Sequence, residues 1–510
     1  MHLLGQFIKT GIRLGATTPE PWIAPVVQQK KTLLRLLSDA ADTAFGRHYD
    51  FREVLEHRDP VRAFQERVPI HDYDRIYDQW WSRARQDEPN VCWPGHVPWF
   101  ALSSGTSNAA TKYIPVTTDI IRSMKKVSRR LFCDMAHFNL PADLFTKQML
   151  MVGSCTNLTP EGNHSVGDLS GIIGLNRPFW LKKYYQPGRH ITAIPEWQER
   201  IERIAEQAPQ WDIGFIVGNV AWVQMIFERI LERHGLRHIH EIWPNFALLL
   251  HGGIFFEPYR QTFEQLLGRQ VQYVDSYMAS EGFMAYQPGP HSRLLRLVTD
   301  AGIFYEFVPF NEQHFDENGN LYPDAKAVTL ADVQPGQPYA LLLNTDAGAW
   351  RYLLGDTIQF ADVRQGTFKI TGRVKHFLSV VGEHLSVDNM NAAIQATNLR
   401  MAAGVKEFTV AAVPHGSHWA HQWYVSTDNP HLNAAEFAAQ LDAHLGAIND
   451  DYRIERQYAL REVRVRLLPH EFFYNWLEQQ GKLNGQAKIP RVLKGAAQAN
   501  WEAYVRNAAV

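Results

Sequence analysis

Short apolar runs alternate with amphipathic stretches through the middle of the chain. The apolar runs predict β-strands at Gln148–Val152, Ile213–Val217, Phe246–Leu250, Val271–Val274, Ile303–Val308 and Tyr339–Leu343. Between them, the helical periodicity of Pro195–Ala208 and Glu257–Leu267 predicts helices that cover a sheet. Such an alternation of strands and helices is typical of the α/β class.

The two ends of the chain have different patterns. Helical periodicity from Gln28 to Ala44, and an aromatic, acidic segment at Ile70–Asp74, predict a helical region before the sheet. After Gly372-Arg373 the alternation becomes that of a smaller α+β unit. Its predicted elements are helix Val387–Asn398, strands Phe408–Val413 and Trp423–Ser426, helix Ala434–Ile448 and strand Glu462–Leu467. We therefore predict two unequal domains, residues 1–373 and 374–510.

Composition narrows the class of function. The 510 residues are 45% hydrophobic and 20% charged, as in soluble globular proteins. A formal charge of −2 without a basic stripe argues against a nucleic-acid partner. No apolar stretch has the length of a membrane span or of a signal peptide, so we expect no membrane association. Cys92, Cys133 and Cys155 lack zinc spacing and indicate reduced thiols, hence a cytoplasmic protein, which we expect to be a monomer.

The strongest chemical signal is the segment Trp99–Val116. It combines hydroxyl side chains, a glycine and a lysine between two apolar runs. Hydroxyl donors, a close backbone approach and a positive charge together suit a polyphosphate. Because Lys112 runs into an extended segment with a proline, we predict a hairpin loop and not a Walker loop. A plain Ser/Gly-rich turn is the alternative. The candidate phosphate contacts are Ser103, Ser104, Gly105, Thr106, Ser107 and Lys112.

Two further segments present polar groups that suit a nucleotide. A predicted loop after Val271–Val274 carries Tyr277, Ser280 and Glu281, which offer a stacking ring, a phosphate contact and a ligand for Mg²⁺. Farther on, a predicted Gly-Asp turn presents the carboxylate of Asp356, the usual partner of ribose hydroxyls. Packed loops and ordinary hairpin turns have the same residue types.

Two features of the C-terminal third complete the pattern. Gly372-Arg373 and Gly382-Glu383 flank an apolar segment, which predicts a hinge. Lys488 lies in a Gly-containing loop and alone would indicate solvated surface. His415, His418 and His421 lie on a predicted hairpin without carboxylate or cysteine partners, which argues against a metal site.

The order and spacing of these segments resemble the adenylate-forming superfamily and, within it, the Gretchen Hagen family of auxin-responsive acyl acid amido synthetases. The resemblance covers nearly the whole chain. Besides the loop of Ser103–Ser107 with Lys112 and the group Tyr277-x-x-Ser-Glu, it includes Arg351 and Gly355-Asp356, in the pattern Arg-x-x-x-Gly-Asp. Asn108-Ala109 replaces the usual glycines of the first loop, and Trp350 stands where the family favours tyrosine.

This resemblance implies an α/β adenylate-forming domain and a mobile C-terminal domain, with ATP and Mg²⁺ as cofactors. It implies that a carboxylic acid reacts with ATP to give an acyl adenylate and pyrophosphate. The amine of an amino acid then displaces AMP. Transfer to coenzyme A or another thiol, and nucleotide binding without turnover, are the alternatives.

The resemblance also assigns a role to each candidate residue, and the C-terminal domain is expected to rotate about a hinge near Arg373–His376. The implied roles are phosphate binding by Lys112 and the loop hydroxyls, α-phosphate binding by Ser280, Mg²⁺ binding by Glu281, adenine contact by Tyr277, ribose binding by Asp356, a second ribose or phosphate contact by Arg373, a nucleotide-pocket turn at Gly252 and Gly253, and charge neutralisation during adenylation by Lys488. A plain strand-to-helix turn is the alternative for His251–Gly253.

Overall fold

The computed structural model of the protein describes residues 6, 9–10, 24–103, 112–135, 138–177, 183–253, 256–316, 319–375, 378, 383, 385–415, 418–449, 452–453, 455–456, 460–480 and 488–507. Short helices precede the first strand, as predicted. They are α1 (Pro25–Ala40), α2 (Ala44–His48), α3 (Phe51–Glu56), α4 (Pro60–Arg67), α5 (Tyr73–Ile76) and α6 (Ser82–Arg85), with a π-helical turn at Tyr77–Trp81 between the last two. The periodic run from Gln28 breaks after Ala40 because the Thr43 hydroxyl accepts the Gly46 N–H and starts a new helix.

The strands fall close to the predicted positions, and β3 matches its predicted bounds. They are β1 (Trp99–Ser103), β2 (Lys112–Val116), β3 (Gln148–Val152), β4 (Thr159–Glu161), β5 (His164–Gly167), β6 (Tyr185–Gln186), β7 (Ile213–Gly218), β8 (Leu248–Gly252), β9 (Gln272–Ala279), β10 (Gly282–Tyr286), β11 (Leu295–Leu297), β12 (Ile303–Pro309), β13 (Pro338–Thr345), β14 (Tyr352–Asp362), β15 (Thr367–Arg373), β16 (Phe408–His415), β17 (His418–Ser426), β18 (Leu460–Leu468) and β19 (Val492–Leu493).

Eleven of these strands form one sheet in the order β12-β13-β14-β15-β11-β10-β9-β8-β7-β3-β6. The strands from β9 to β6 pair in parallel, whereas those from β12 to β10 are antiparallel. The parallel part requires crossover helices, and these provide its second apolar layer. The remaining helices of this part of the chain are α7 (Thr118–Asp134), α8 (Leu169–Leu175), α9 (Arg189–Thr192), α10 (Trp197–Gln207), α11 (Val220–His234) and α12 (Glu257–Leu266).

The first 175 residues add a smaller sheet of order β2-β1-β5-β4. A large core joins the N-terminal helices and α7 to one face of the main sheet, while α10, α11 and α12 form a second core with its parallel strands. Both faces of the main sheet are therefore covered by helices, as the α/β class requires.

The C-terminal unit has its own four-stranded sheet, of order β18-β17-β16-β19, with helices on both faces. Its helices are α13 (Val387–Met401), α14 (Ala434–Ile448), α15 (His470–Gln479) and α16 (Gly495–Asn507). The sequence patterns did not predict α15 and α16. The predicted fold class, a large α/β part followed by a smaller α+β part, is confirmed.

The chain between the two parts changes its packing partners within a few residues. Val374 packs with Val308 and Leu342 of the large part. Leu378 and Leu385 pack in the core of the C-terminal unit. The predicted boundary at residue 373/374 falls next to this change and stays a prediction.

The three cysteines are all free of disulfide bonds. Within the described ranges, none of the helices has the length and apolar character needed to traverse a lipid bilayer.

Candidate active site

Strands β1 and β2 form the predicted hairpin around the hydroxyl-rich loop. Ser103 and Lys112 are paired at the end of the hairpin next to the loop, and both are half-buried. Ser104, Gly105, Thr106 and Ser107 lie outside the described residues. The pairing aligns the last hydroxyl of β1 with the lysine that begins β2, so both project from the same end of the hairpin.

Tyr73, at the start of α5, supports this lysine and was not predicted as a site residue. Its ring centroid lies 4.9 Å from Lys112 Nζ, within cation–π range. Its hydroxyl accepts the Tyr113 N–H at 2.8 Å. Burial lowers the pKa of Lys112, while the carboxylate of Glu281 opposes the shift. The only sequence signal for Tyr73 was its place in the aromatic segment Ile70–Asp74.

The predicted loop after Val271–Val274 is instead a hairpin turn. Strand β9 continues to Ala279, so Tyr277 is a strand residue, and only Ser280 and Glu281 form the turn before β10. The strand is longer than predicted because Tyr277 and its neighbours pair with β10, whose position the local pattern does not reveal. Both turn residues are buried.

Glu281 is a buried carboxylate without a direct counter-ion. Among the described residues, no basic nitrogen lies within 4 Å of its oxygens. Burial raises the pKa of Glu281, and the charge of Lys112 partly offsets this effect. The buried Tyr352 hydroxyl faces the same carboxylate. A buried acid with this shortage of positive charge fits a cation brought by the substrate.

Tyr277, Asp356 and Arg373 form a continuous polar network. The Tyr277 hydroxyl donates to Asp356 Oδ2 at 2.5 Å, and Arg373 Nε donates to Asp356 Oδ1 at 2.7 Å. Asp356 and Arg373 are direct partners across β14 and β15. The Asp356 carboxylate raises the pKa of Arg373 above its usual value.

Gly355-Asp356 is not the predicted turn, because it lies inside the eleven-residue strand β14. The pairing of β14 with β13 is interrupted between Leu353 and Thr357. Gly355 has a φ of +91°, which favours glycine, and this irregularity leaves Asp356 unpaired on the β13 side. The bulge therefore turns the carboxylate towards Tyr277.

Gly252 is the last residue of β8, and Gly253 follows it. A Cβ atom on Gly252 would lie 2.4 Å from the Ser276 carbonyl oxygen, so only glycine fits. His251, just before them, is buried, and burial lowers its pKa to about 4. Its partner across the sheet is Asp275, whose side chain is half-exposed.

Lys488 reaches the same place from the C-terminal unit. Its Nζ lies 3.7 Å from where a Cβ atom of Gly253 would be. The pKa of Lys488 is lowered to about 8, first by desolvation and then by the positive charge of Arg373, while the carboxylate of Asp356 opposes the shift. The lysine itself stays exposed. The structure therefore brings Lys488 together with the nucleotide candidates, although more than 100 residues separate it from each of them.

Arg351, part of the third motif, does not join the site. Its guanidinium is 6% exposed and pairs with the fully buried Glu306. It also donates to the carbonyl oxygens of Gln65 and Val68 at 2.8 and 2.7 Å. These contacts tie α4 to the main sheet, so Arg351 has a structural role here.

The predicted hinge and the histidine group have other surroundings. Gly372 lies within β15, and Gly382 lies outside the described residues. Glu383 accepts a hydrogen bond from His421, with both side chains fully buried. His415 Nδ1 lies 3.2 Å from Glu462 Oε2. Within the described part of the chain, no group of three or more His, Cys, Asp or Glu side chains is arranged to hold a metal ion.

The sequence matches the models of one protein family along most of its length. The GH3 family N-terminal domain matches residues 24–159, the GH3 family central domain matches residues 296–373, and the GH3 family C-terminal domain matches residues 388–496. Together these matches cover more than half of the chain. The protein belongs to the GH3 family.

Individual GH3 relatives are distant in sequence. Indole-3-acetic acid-amido synthetase GH3.10 of Arabidopsis thaliana is 24% identical over 50% of this chain and 46% of that protein. The match thus spans about half the length of that relative. Probable indole-3-acetic acid-amido synthetase GH3.1 of Oryza sativa subsp. japonica is 20% identical over 91% of this chain and 87% of that protein.

Solved structures support the GH3 fold. The GH3.15 acyl acid amido synthetase has a TM-score of 0.74 with 17% identity, covering 93% of both chains. 2-Hydroxyisobutyryl-CoA ligase in the postadenylation state has a TM-score of 0.57 with 13% identity, covering 94% of this chain and 92% of that one. At these identities the likeness establishes the fold alone.

Proposed function

We propose that this GH3 protein is an ATP-dependent acyl acid amido synthetase. It adenylates a carboxylic acid, releases pyrophosphate and transfers the acyl group to the amine of an amino acid. The observation that carries the proposal is the convergence of five charged side chains whose charges act on one another, with Lys488 also next to Gly253. They are Lys112, Glu281, Asp356, Arg373 and Lys488. The amine acceptor is supported by relatives named indole-3-acetic acid-amido and jasmonoyl-L-amino acid synthetases.

Activation of the acid is chemically necessary, because a carboxylate has no good leaving group and an amine simply takes up a proton from an acid. In the first half-reaction the carboxylate attacks the α-phosphate of ATP and pyrophosphate leaves. Lys488 and Ser280 are the groups we assign to the α-phosphate, where negative charge develops. Lys112 and the preceding loop hydroxyls hold the β and γ phosphates, whose positions fix the leaving group in line.

The nucleoside is assigned to the network of Tyr277, Asp356 and Arg373. Asp356 provides carboxylate oxygens for the ribose hydroxyls, and Arg373 holds that carboxylate at 2.7 Å. Tyr277 lies beside the adenine, and its hydroxyl fixes the second oxygen of Asp356. Gly252 and Gly253 leave room for the base next to β8.

Magnesium fits the site through Glu281, a buried carboxylate that has no direct counter-ion among the described residues. Mg²⁺ is usually held by one or two carboxylates together with substrate phosphates and water. When bound with ATP, it supplies charge neutralisation and orientation of the phosphates. The Tyr352 hydroxyl orients the Glu281 carboxylate towards the phosphates.

For the second half-reaction we propose that residues 374–510 rotate relative to residues 1–373. Withdrawal of Lys488 from the Gly253 turn opens a path for the amine to the acyl adenylate. The expected hinge near Arg373–His376 is supported by the change of packing partners between Val374 and Leu378. We assign the protein to the cytoplasm, as a monomer that acts on small molecules; its three free cysteines are consistent with that compartment.

The test is chromatography of nucleotide products after incubation with Mg·ATP and pooled carboxylic acids, with and without pooled amino acids. We expect AMP that requires the acids and increases with the amino acids. ADP as the product would contradict adenylation. AMP that responds to coenzyme A and not to amino acids would identify a thiol acceptor, and binding of ATP without turnover across a wide acid panel would indicate a binding protein.

Two lysine variants, one in the site and one outside it, test whether the site carries the activity. Lys488→Ala should abolish most acid-dependent pyrophosphate release, because the positive charge beside the α-phosphate is lost. Lys326→Ala removes an exposed lysine elsewhere on the same chain and should leave the rate unchanged. Normal adenylation by Lys488→Ala would show that the lysine is misassigned.

A further inference from the structure

A buried polar contact joins the two parts of the chain at α12. The Tyr259 hydroxyl, from the large part, donates to Glu407 Oε1 of the C-terminal unit at 2.5 Å. Tyr259 is 1% exposed and Glu407 is 6% exposed. Tyr474 of α15 forms a side-chain hydrogen bond with Tyr259 from the same unit. The tyrosine therefore meets the C-terminal unit with its polar end inside the interface and its ring in the α11–α12 core.

The same carboxylate leads directly to the segment that carries Lys488. Arg491 Nη1 donates to Glu407 Oε2 at 2.6 Å and to the Phe408 carbonyl oxygen at 3.0 Å. Its guanidinium carbon lies 4.5 Å from the centroid of the Phe408 ring. Arg491 follows Lys488 by three residues. A series of contacts thus connects α12, through Glu407 and Arg491, to the segment that contains Lys488.

The hydrogen bonds of Glu407 favour one arrangement of the two parts of the protein. A buried carboxylate is stable when both oxygens have donors, and here one donor comes from each side of the interface. Separation of the parts leaves Glu407 with Arg491 alone. The hydroxyl of Tyr259 then loses its acceptor while its ring stays in the core. Both losses favour the closed arrangement, in which Lys488 is next to Gly253.

We propose that Tyr259, Glu407 and Arg491 form an interdomain latch that holds Lys488 in its adenylation position. Opening the latch precedes amide formation. This inference rests on the proposed function for its catalytic meaning, although its structural part does not require it. Tyr259 and Glu407 are positioning residues, because they act through the placement of Lys488.

The chain offers a matched control for a test by substitution. In the C-terminal unit, the Tyr452 hydroxyl donates to Asp442 Oδ1 at 2.7 Å, and Arg456 Nη2 donates to Asp442 Oδ2 at 2.6 Å. Like the latch, this group joins a tyrosine and an arginine through a carboxylate, here that of an aspartate, and its tyrosine is also buried. All three of its residues belong to one unit. Tyr452→Phe therefore removes an equivalent hydrogen bond without touching the interface.

The first experiment measures how the two parts of the chain are arranged and needs no substrate. Small-angle X-ray scattering of the unliganded protein gives the ratio of open to closed molecules. Tyr259→Phe and Glu407→Gln should each raise this ratio roughly tenfold, the lower end for loss of a hydrogen bond to a charged group. Tyr452→Phe should not change it.

Three outcomes of the scattering experiment would overturn the latch. A mostly open arrangement of the unmodified protein would show that the two parts are not held together. No increase in the open fraction of Tyr259→Phe and Glu407→Gln would show that these residues do not hold them. An equal increase in Tyr452→Phe would show that the effect reflects general loosening.

The second experiment separates the two half-reactions, using an acid identified by the nucleotide assay. Tyr259→Phe should lower the rate of acid-dependent pyrophosphate release roughly tenfold. Amide formation from added acyl adenylate should be unchanged or faster, because that step uses the open arrangement. Equal losses in both steps would overturn the positional role. If the scattering responds as expected and no acid or amino acid gives turnover, the proposed function fails while the latch stands.

Discussion

Replacing Arg351 with methionine should markedly destabilise the large domain. The Arg351 guanidinium donates from Nε to Glu306 Oε2 at 3.2 Å. Glu306 is fully buried, and its remaining donors are the amide groups of Gln65 and Asn344. Methionine keeps much of the apolar stem but removes the charge, which leaves a buried carboxylate without its cation. Loss of one partner from a buried ion pair costs about 3–5 kcal/mol of unfolding free energy, and we expect a loss in that range.

Urea unfolding at neutral pH, followed by tryptophan fluorescence, measures this effect. Arg62→Met is the control, because Arg62 and its ion-pair partner Glu66 are 74% and 60% exposed. Exposed pairs of this kind contribute about 1 kcal/mol or less. The double variant Arg351→Met with Glu306→Leu should recover most of the loss, since it removes both buried charges together.

The affinity for ATP distinguishes a structural role of Arg351 from a nucleotide contact. Measured by calorimetry under conditions where Arg351→Met is folded, the affinity should match that of the unmodified protein within about threefold, a difference under 1 kcal/mol. The reasoning would be refuted if Arg351→Met unfolded like the Arg62→Met control. It would also be refuted if the variant stayed stable but bound ATP more than about tenfold more weakly.

Three further predictions concern the nucleotide site. Because desolvation and the charge of Arg373 lower the pKa of Lys488 to about 8, and the protonated amine is the active form, adenylation should slow as pH rises through about 8; a flat rate of pyrophosphate release between roughly pH 6.5 and 9.5 would contradict this. Gly252→Ala places a Cβ atom 2.4 Å from the Ser276 carbonyl oxygen, so thermal unfolding should begin at a clearly lower temperature, whereas Gly446→Ala, with no atom within 4 Å, should not lower it. Asp356→Asn removes the charge that holds the neighbouring guanidinium and accepts the ribose hydroxyls, so ATP should bind roughly tenfold or more weakly by calorimetry; unchanged affinity would show that the ribose lies elsewhere.

Local sequence patterns predicted the regular elements well. Strand Gln148–Val152 and helix Ala434–Ile448 have the predicted bounds. Apolar runs and helical periodicity reflect which face of an element is buried, and that information is present within a short window. The same is true of residue chemistry, since a hydroxyl-rich loop with Lys112 indicates phosphate binding wherever the chain places it.

Predictions failed where a strand depends on a distant partner. Tyr277 belongs to β9 because β10 pairs with it, and Asp356 belongs to β14 because β13 and β15 lie on either side. Turn-forming residue types such as Gly355 indicated a turn where the structure has a strand. In the structure, Gly355 allows a bulge inside a long strand, and this use of glycine has no local signature.

The sequence by itself determined the family, the α/β class and most residues that can bind a nucleotide, because these depend on residue types and their order. Only the tertiary structure decided which of those residues share one site and what their environments are. Tyr73 supports Lys112, and Arg351 pairs with Glu306 and not with the nucleotide candidates. Lys488 has its lowered pKa because folding desolvates its amine beside Arg373, a residue more than 100 positions earlier in the chain. Burial and charge proximity are properties of the folded arrangement, and no short window of sequence contains them.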